Sequence, residues 1–269
     1  MSDTTFRLAI IGGGNMGEAL LAGLLDAGWA SAEELAVVEV LAPRRQVLEQ
    51  AYPGVTVIDR MPPADGALVA VKPHDVPAAA AAATSAGATR LLSIAAGVTL
   101  ATIEAAAAPG TAVVRAMPNT PAMVRAGASA ISPGAAAVDA DLDWAEGILS
   151  SVGTVVRVPE SSLDAVTGLA GSGPAYVMLI AEALIDAGVL VGLPRATARA
   201  LTTQLLVGSA KLLADTGELP EVLRANVTSP GGTTAAGLRA LEDRAVRAAM
   251  LAAVSDATQR SRELGAPRV

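Results

Sequence analysis

The chain has no cysteine and a single histidine, so two large classes of chemistry are missing from it. Without thiols there can be no disulfide, thiolate metal site or cysteine nucleophile. One imidazole cannot build a histidine-based metal cluster, and we expect no resident metal. Aromatic residues are also scarce, at 2% of 269 residues, so the core must be packed from small aliphatic side chains in closely packed helices and strands.

Positive charge is in short supply, because 26 acidic residues outnumber 19 basic ones and give a net charge of -7. This balance disfavours nucleic-acid partners and favours a small-molecule ligand. The mean hydropathy is +0.49, but Glu182 and Asp186 interrupt the most apolar stretch, Ala175 to Gly192, so we expect a soluble protein with no membrane partner. No basic leader with an apolar block opens the sequence, and we expect a cytoplasmic location.

Short apolar runs alternate with helical stretches over the first half of the chain, which is typical of a parallel sheet covered by helices. Helices are predicted from Met16 to Asp26 and from Asp75 to Ser85, the second with Asp75 as its N-cap. The pattern predicts an α/β fold with a Rossmann-type doubly wound sheet. The predicted strands are Arg7–Ile11, Leu35–Glu39, Ala67–Val71, Arg90–Ile94, Ala112–Ala116, Ser129–Ser132 and Thr154–Val158.

After Pro159 the alternation stops and apolar residues recur only at helical spacing. We therefore predict a dinucleotide-binding Rossmann domain over 1–159 and an all-helical domain over 160–269. The aliphatic composition of the second domain predicts a buried helical interface and at least a homodimer. Helix starts are predicted at Pro174, Pro194 and Pro220, and helix ends at Gly188 and Gly217.

A glycine-rich loop with the pattern GxGxxG joins the first predicted strand to the first helix. Its first glycine permits a tight turn, its second lets the backbone approach a pyrophosphate, and its third allows close packing of helix on strand. Because a strand precedes the loop and a helix follows it, we predict a dinucleotide site. The cofactor contacts predicted here are Gly12, Gly14, Asn15, Met16 and Gly17.

The residues near the second strand leave the choice between NADH and NADPH open. Glu39 ends that strand, where a carboxylate accepts hydrogen bonds from the adenosine ribose hydroxyls, and this favours NADH. Arg44, Arg45 and Arg60 lie close enough in sequence to pair with the 2′-phosphate of NADPH. We therefore predict a nicotinamide dinucleotide without choosing between the two forms.

Further cofactor contacts are predicted at the carboxyl ends of later strands, where ligands bind in open α/β sheets. They are Val71, Lys72, Pro73 and Asn119. We interpret Lys72 as a cofactor contact and not as an acid or base, and we expect Asn119 to approach the nicotinamide ribose or carboxamide. His74 is interpreted as a surface residue.

The segment Ser229–Thr234, which reads SPGGTT, leads into a predicted helix. Its backbone N–H groups and three hydroxyls can hold a carboxylate at the helix N-terminus. The alternative is an ordinary serine-threonine helix cap, worth about 1 kcal/mol, with no ligand. Two adjacent glycines expose backbone without adding stability, which favours the ligand site.

The sequence resembles the pyrroline-5-carboxylate reductase family in motifs distributed over nearly the whole chain. They are IGGGNMG at Ile11–Gly17, AVKP at Ala70–Pro73, MPNTP at Met117–Pro121, TGLAGSGPAY at Thr167–Tyr176 and SPGGTTAAGLRALE at Ser229–Glu242. The resemblance implies a Rossmann domain followed by helices that dimerise by interleaving, often within a ring of dimers. It also implies reduction of 1-pyrroline-5-carboxylate to L-proline with NADPH, the final step of proline biosynthesis.

The resemblance also implies roles for single residues. Thr234 is then the hydroxyl nearest the ring nitrogen of the substrate, where it either donates the proton or orients a water. Glu160, at the predicted domain boundary, could reach the nicotinamide side of the cleft and is a candidate for substrate binding, although an exposed linker residue is the alternative. The residues implied to hold the substrate carboxylate are Ser229, Gly231, Gly232 and Thr233.

The sequence departs from the family pattern at Glu39-Val40 and Asp59-Arg60, where many members carry polar and basic residues near the ribose and adenine. A β-hydroxyacid dehydrogenase is a second interpretation, but it needs a lysine early in the helical domain, and neither Lys72 nor Lys211 lies there. A dinucleotide-sensing protein without catalysis is a third interpretation. It would have no need for a second anion site.

Overall fold

The computed structural model of the protein describes residues 5–265, which divide into two compact units. The first unit comprises the chain up to Ser172 together with the segment from Ser255 onwards, and the second unit is Gly173–Val254. The second unit is therefore an insertion in the first. The domain limits predicted from the sequence, with the change at Glu160, stay a prediction, and their ends at 1 and 269 lie outside the described residues.

All the strands described in the first unit belong to one sheet of eight. They are β1 (Phe6–Ile11), β2 (Leu35–Val38), β3 (Thr56–Ile58), β4 (Ala64–Val69), β5 (Arg90–Ser93), β6 (Ala112–Met117), β7 (Gly127–Pro133) and β8 (Gly153–Arg157). The order across the sheet is β3-β2-β1-β4-β5-β6-β7-β8, and every neighbouring pair is parallel except β6 and β7. This is the predicted doubly wound sheet.

The helices of the first unit cover the two faces of this sheet. They are α1 (Asn15–Asp26), α2 (Ala42–Ala51), α3 (Val76–Ser85), α4 (Leu100–Ala106), α5 (Asp139–Leu149) and α6 (Leu163–Val166). Leucines of α1 and the buried side of α5 pack in one core cluster, whereas α3 and α4 pack in another. The buried face of α3 consists largely of alanines, and their small side chains let this helix approach the sheet closely.

Strand order reverses between β1 and β4, because the chain builds outwards to β3 and then returns to the other side of β1. The loops that follow β1 and β4 leave the sheet at this reversal. Ligands of open α/β sheets bind in the crevice outside the strand ends at such a point. The reversal therefore lies where the sequence places its glycine loop and the segment after Val69.

The second unit is helical throughout, as predicted for the C-terminal half. Its helices are α7 (Gly173–Leu190), α8 (Arg195–Thr216), α9 (Pro220–Asn226), α10 (Thr233–Glu242) and the first part of α11 (Val246–Gly265), whose residues from Ser255 belong to the first unit. The predicted helix starts at Pro174, Pro194 and Pro220 agree with the starts of α7, α8 and α9 within one residue. Gly217 ends α8 with a φ of +64°, also as predicted.

Gly188 does not end a helix, and that prediction is wrong. It lies inside α7, and a Cβ at this position would come within 2.9 Å of the Ala198 Cβ on α8. The glycine therefore permits α7 and α8 to pack closely. The turn that follows α7 instead uses Gly192, whose φ is +100°.

Asp75 directly precedes α3, as predicted, but its side chain makes no capping hydrogen bond. A short 3₁₀ turn, Pro73–Asp75, comes before the helix and holds Asp75 at helical φ and ψ. An N-cap residue needs an extended backbone to direct its oxygen back to the first turn. The carboxylate of Asp75 instead lies 3.3 Å from Nε2 of His74.

Many large apolar side chains of the second unit are exposed in the single chain. On α7 they include Met178, Leu179 and Leu190, and on α8 they include Leu201 and Leu205. The helical stretch Glu160–Leu190 has the length and composition of a membrane span, with a mean hydropathy of 1.5, although Glu182 and Asp186 lie within it. Monomeric proteins rarely expose apolar surface on this scale, so these helices need a covering partner.

Candidate functional site

The loop after β1 has the backbone geometry expected of a dinucleotide-binding turn. Gly12 has a φ of +104°, and a Cβ there would lie 2.5 Å from the backbone oxygen of Ala70, which follows β4. A Cβ on Gly17 would overlap the carbonyl oxygen of Gly12, so the start of α1 can lie against the turn only with glycine at this position. Contacts within the protein therefore require glycine at both positions, whether or not a ligand binds.

Gly14 differs from these two glycines, because a Cβ added to it would meet no atom of the protein within 4 Å. It is the N-cap of α1, has an extended backbone and carries no side chain to accept the N–H groups of the first turn. Asn15, Met16 and Gly17 follow as the first residues of the helix. The N-terminus of α1 therefore presents free backbone donors beside open space, which fits a pyrophosphate.

Glu39 follows β2 directly and is only 8% exposed. Its Oε2 accepts a hydrogen bond from the Gly13 backbone N at 3.0 Å, and its Oε1 accepts one from the Leu41 backbone N at 2.9 Å. The carboxylate is thereby fixed between the glycine loop and the loop after β2. This is the position where a dinucleotide's ribose is expected.

The two arginines after Glu39 are held by the same loops. Arg44 donates from Nε to the Gly13 carbonyl oxygen at 2.6 Å and pairs with the carboxylate of Glu18 on α1. Arg45 donates from Nη1 to the carbonyl oxygens of Glu39 at 2.8 Å and Val40 at 3.0 Å. Their guanidinium groups thus support the local backbone.

The segment after β4 is placed at the carboxyl edge of the sheet, as predicted. Val71 is half-buried, whereas Lys72 and Pro73 are exposed. His74 is exposed as well, in agreement with its interpretation as a surface residue. Contact between these residues and a cofactor stays a prediction.

Asn119 uses both ends of its side-chain amide within the protein. Its Nδ2 donates to the carbonyl oxygen of Ala170 at 3.1 Å, and its Oδ1 accepts from the Ala128 backbone N at 2.9 Å. The amide therefore joins β7 to a π-helical turn, Thr167–Gly171. Its contact with the nicotinamide stays a prediction, and the two observed hydrogen bonds favour a structural role.

Glu160 is neither an exposed linker residue nor free to rotate. Its Oε1 accepts from the backbone N of Leu100, the first residue of α4, at 2.7 Å and from Nη1 of Arg115 at 2.8 Å. The negative charge of this carboxylate therefore lies at the N-terminus of α4, where it stabilises the helix. Its assignment to substrate binding stays a prediction that these contacts do not favour.

A pocket of about 490 Å³ opens in the first unit beside the ends of β4 and β5. This volume suits a small organic ligand. The small residues after β5, notably Gly97 with a φ of +75°, are the signal in the sequence that marks this edge of the pocket. Among its lining residues are Pro73, His74, Gly97, Thr167, Ser172 and Arg260.

The predicted carboxylate site lies in the second unit, at the start of α10. Gly231 has a φ of +69°, and Gly232 is the N-cap with an extended backbone. A Cβ on Gly232 would overlap the Ser229 hydroxyl oxygen, so only glycine allows this approach. Thr233 and Thr234 open the helix.

No side chain caps the first turn of α10 within the described part of the chain. The serine-threonine cap that was the alternative interpretation is therefore absent, and the first-turn N–H groups are left for another acceptor. By contrast, α4 has both Glu160 and the Thr99 hydroxyl as acceptors at its start. The start of α10 thus has the donors for an anion such as a carboxylate.

Two family profiles match this chain. The profile described as "Pyrroline-5-carboxylate reductase dimerisation" matches residues 160–264, and the profile described as "NADP oxidoreductase coenzyme F420-dependent" matches residues 7–97. The helices with exposed apolar side chains lie inside the first match. Their exposure in a single chain is accounted for by a dimerising domain.

Relatives match along almost the full length. The pyrroline-5-carboxylate reductase of Synechocystis sp. is 46% identical over 97% of this chain and 99% of its own, and that of Mycobacterium tuberculosis is 44% identical over 96% of each. A solved pyrroline-5-carboxylate reductase from Coxiella burnetii superposes with a TM-score of 0.91, at 33% identity, covering 98% of this chain and all of the other. The Plasmodium falciparum enzyme, solved with NADP bound, gives 0.84 at 28% identity, covering 97% and 98%.

Sequence identity, coverage and fold agree over both halves of the molecule, from the glycine loop to the last described helix. The chain belongs to the pyrroline-5-carboxylate reductase family.

Proposed function

We propose that this protein reduces 1-pyrroline-5-carboxylate to L-proline with NADPH or NADH, as the last step of proline biosynthesis. Family membership supports the reaction, and the uncapped start of α10 is the structural observation that carries it. The reaction requires a hydride at the imine carbon, a proton at the ring nitrogen and an anchor for the carboxylate. It requires no strong base, which agrees with a chain that has one exposed histidine.

The turn after β1 and the start of α1 hold the dinucleotide. Gly12 and Gly17 shape the turn, and the open backbone at Gly14 receives the pyrophosphate. When bound, the dihydronicotinamide supplies the hydride. Val71, Lys72, Pro73 and Asn119 belong to the strand-end segments that line the same edge of the sheet.

The start of α10 holds the substrate carboxylate. Backbone N–H groups at Gly231 and Thr233 donate to its oxygens, and the hydroxyl of Ser229 adds a further donor. Gly232 shapes the turn that presents these donors, because its own N–H bonds the Ser229 carbonyl oxygen at 3.0 Å. The partial positive charge at the helix N-terminus stabilises this anion. Glycine at 231 and 232 keeps the approach free of side chains.

The hydroxyl of Thr234 assists protonation of the ring nitrogen. A threonine hydroxyl is a weak acid, so it either donates the proton as negative charge develops on nitrogen or orients a water that does so. Both roles need the hydroxyl and neither needs the methyl group. Thr234→Ser should therefore retain most of the activity that Thr234→Ala loses.

The test follows the loss of NADPH or NADH absorbance when pyrroline-5-carboxylate is added to the full-length protein. We expect imine-dependent oxidation, with kcat/KM lowered about 100-fold in Thr234→Ala and largely restored in Thr234→Ser. Thr216→Ala is the matched control, because that hydroxyl donates to the Leu212 carbonyl oxygen at the end of α8 and should be dispensable. Binding of either dinucleotide without turnover would contradict the reductase and favour a sensor.

We also propose that the protein works in the cytoplasm as a homodimer or a ring of dimers, without membrane or nucleic-acid partners. The exposed apolar side chains of α7 and α8 support a partner copy. The net charge of -7 supports the exclusion of nucleic acid. Light scattering and membrane fractionation of the expressed protein test these points.

A further inference from the structure

We infer that Glu39 makes this protein prefer NADH over NADPH. The inference concerns the adenosine end of the cofactor and rests on the proposed use of a nicotinamide dinucleotide. Three structural observations carry it: the fixed carboxylate, the commitment of the neighbouring arginines, and the exposed position of the remaining cation.

The carboxylate of Glu39 cannot turn away from a ligand. Its two oxygens are held at 3.0 Å and 2.9 Å by the backbone N–H groups of Gly13 and Leu41, and the residue is almost fully buried. A carboxylate has about four acceptor sites, so each oxygen keeps one free. Two free acceptors suit the two neighbouring hydroxyls of an adenosine ribose.

A 2′-phosphate changes the balance at this position. It replaces a hydroxyl donor with a group that carries about -1.5 to -2 charges and mostly accepts hydrogen bonds. Beside a buried carboxylate, the charges repel each other at low effective dielectric constant. The fixed geometry of Glu39 prevents relief by rotation of its side chain.

The arginines that could neutralise this phosphate already have partners. Arg44 bonds the Gly13 carbonyl oxygen and pairs with Glu18, which also accepts a hydrogen bond from the Tyr52 hydroxyl at 3.3 Å. Arg45 supports the carbonyl oxygens of the Glu39-Val40 turn. Arg44 is held through Nε and Nη2 and Arg45 through Nη1, so moving either guanidinium towards a phosphate would break contacts that shape the site.

Arg60 is the third cation near this end of the sheet. It follows β3 by two residues and is exposed to solvent. An exposed, solvated guanidinium contributes little to binding compared with a desolvated one. Arg60 therefore offsets little of the repulsion between the Glu39 carboxylate and a 2′-phosphate.

The first test measures binding without turnover, by calorimetric titration of the full-length protein with 5′-AMP and with 2′,5′-ADP. These fragments differ only in the 2′-phosphate. We expect 5′-AMP to bind about tenfold or more tightly than 2′,5′-ADP, and kcat/KM for NADH to exceed that for NADPH by a similar factor. Tighter binding of 2′,5′-ADP, or a higher kcat/KM with NADPH, would overturn the inference.

Variants then assign the preference to Glu39. We expect Glu39→Gln and Glu39→Ser to move the fragment preference at least about tenfold towards 2′,5′-ADP. Glu49→Gln is the matched control, because it removes an exposed carboxylate near the end of α2, and its preference should stay at the wild-type value. An unchanged preference in a folded Glu39 variant, checked by thermal unfolding, would contradict the assignment.

The two proposals fail in different ways. If neither cofactor reduces the imine, the proposed function is wrong, and the fragment titration still decides the preference. If the imine is reduced better with NADPH and 2′,5′-ADP binds more tightly, the reaction stands and the preference is wrong.

Discussion

Arg115 and Glu160 form a partly buried ion pair, with Nη1 of Arg115 2.8 Å from Oε1 of Glu160. The same carboxylate oxygen caps α4 at the Leu100 backbone N. Three segments separate in sequence, β6, α4 and the chain after β8, therefore meet at one charge. This ion pair therefore holds three segments of the first unit together.

Glu160→Ala should lower the free energy of unfolding by about 2–3 kcal/mol, because Arg115, only 10% exposed, loses its partner and α4 loses its anion. Denaturant unfolding followed by circular dichroism measures the loss. Asp186→Ala is the control, since it breaks a mostly exposed pair with Arg195 and should cost no more than about 1 kcal/mol. If Glu160 instead binds the substrate, Glu160→Gln will raise the KM for the imine without a comparable loss of stability.

Gly14→Ala and Gly17→Ala should separate ligand binding from folding. A methyl group at Gly14 meets no protein atom, so stability should stay at the wild-type value while dinucleotide affinity falls about tenfold or more. A methyl group at Gly17 overlaps the Gly12 carbonyl oxygen, so stability should fall by about 1–3 kcal/mol as well. NADH titration and thermal unfolding measure both quantities. Wild-type dinucleotide affinity in Gly14→Ala would show that the dinucleotide does not approach this residue closely.

Leu179→Asp should dissociate the oligomer. Leu179 on α7 is 65% exposed in the single chain and lies within the matched dimerisation domain. A carboxylate buried at an apolar interface costs several kcal/mol. Light scattering should show a lower mass for this variant, whereas Val124→Asp, at a 76% exposed position of the first unit, should keep the wild-type mass.

Stability should decline at high pH partly because of Tyr52. Burial, and then the charge and hydrogen bond of Glu18, raise the pKa of Tyr52 above its ordinary value of 10.0. The folded state then keeps a proton that the unfolded chain releases, so this contribution is complete below about pH 10 and is lost as the pH rises through the raised pKa. Unfolding free energies from about pH 8 to about pH 11 should fall more steeply for the wild type than for Tyr52→Phe.

Local patterns were sufficient for much of the fold. Seven predicted strands are present with ends displaced by at most three residues, and the predicted family is confirmed. The missed strand, β3, has only three residues and pairs with β2 alone, which is too short for a period of two to be recognised. The prediction for Gly188 is wrong because a glycine at a helix crossing and a glycine at a helix end look alike in sequence.

Long-range contacts account for what the sequence could not predict at the site. The sequence predicts the position of Glu39 at a strand end, but not its bond to Gly13, which joins residues 26 positions apart. From the sequence, Arg44 and Arg45 are candidates to bind a phosphate, whereas in the structure both bind backbone carbonyl oxygens. Arg260 lines the pocket because it lies on α11. The next residue of that helix, Ser261, donates a hydrogen bond to Asp164, which is 97 residues away in the sequence.

The return of α11 to the first unit also sets the order in which the protein can mature during synthesis. Domains usually fold from the N-terminus as the chain emerges. Here the segment from Ser255 onwards, including the Ser261 partner of Asp164, is made after the inserted unit but belongs to the unit that is begun before it. The nucleotide-binding unit must therefore wait for the whole inserted unit to be translated before its packing is complete.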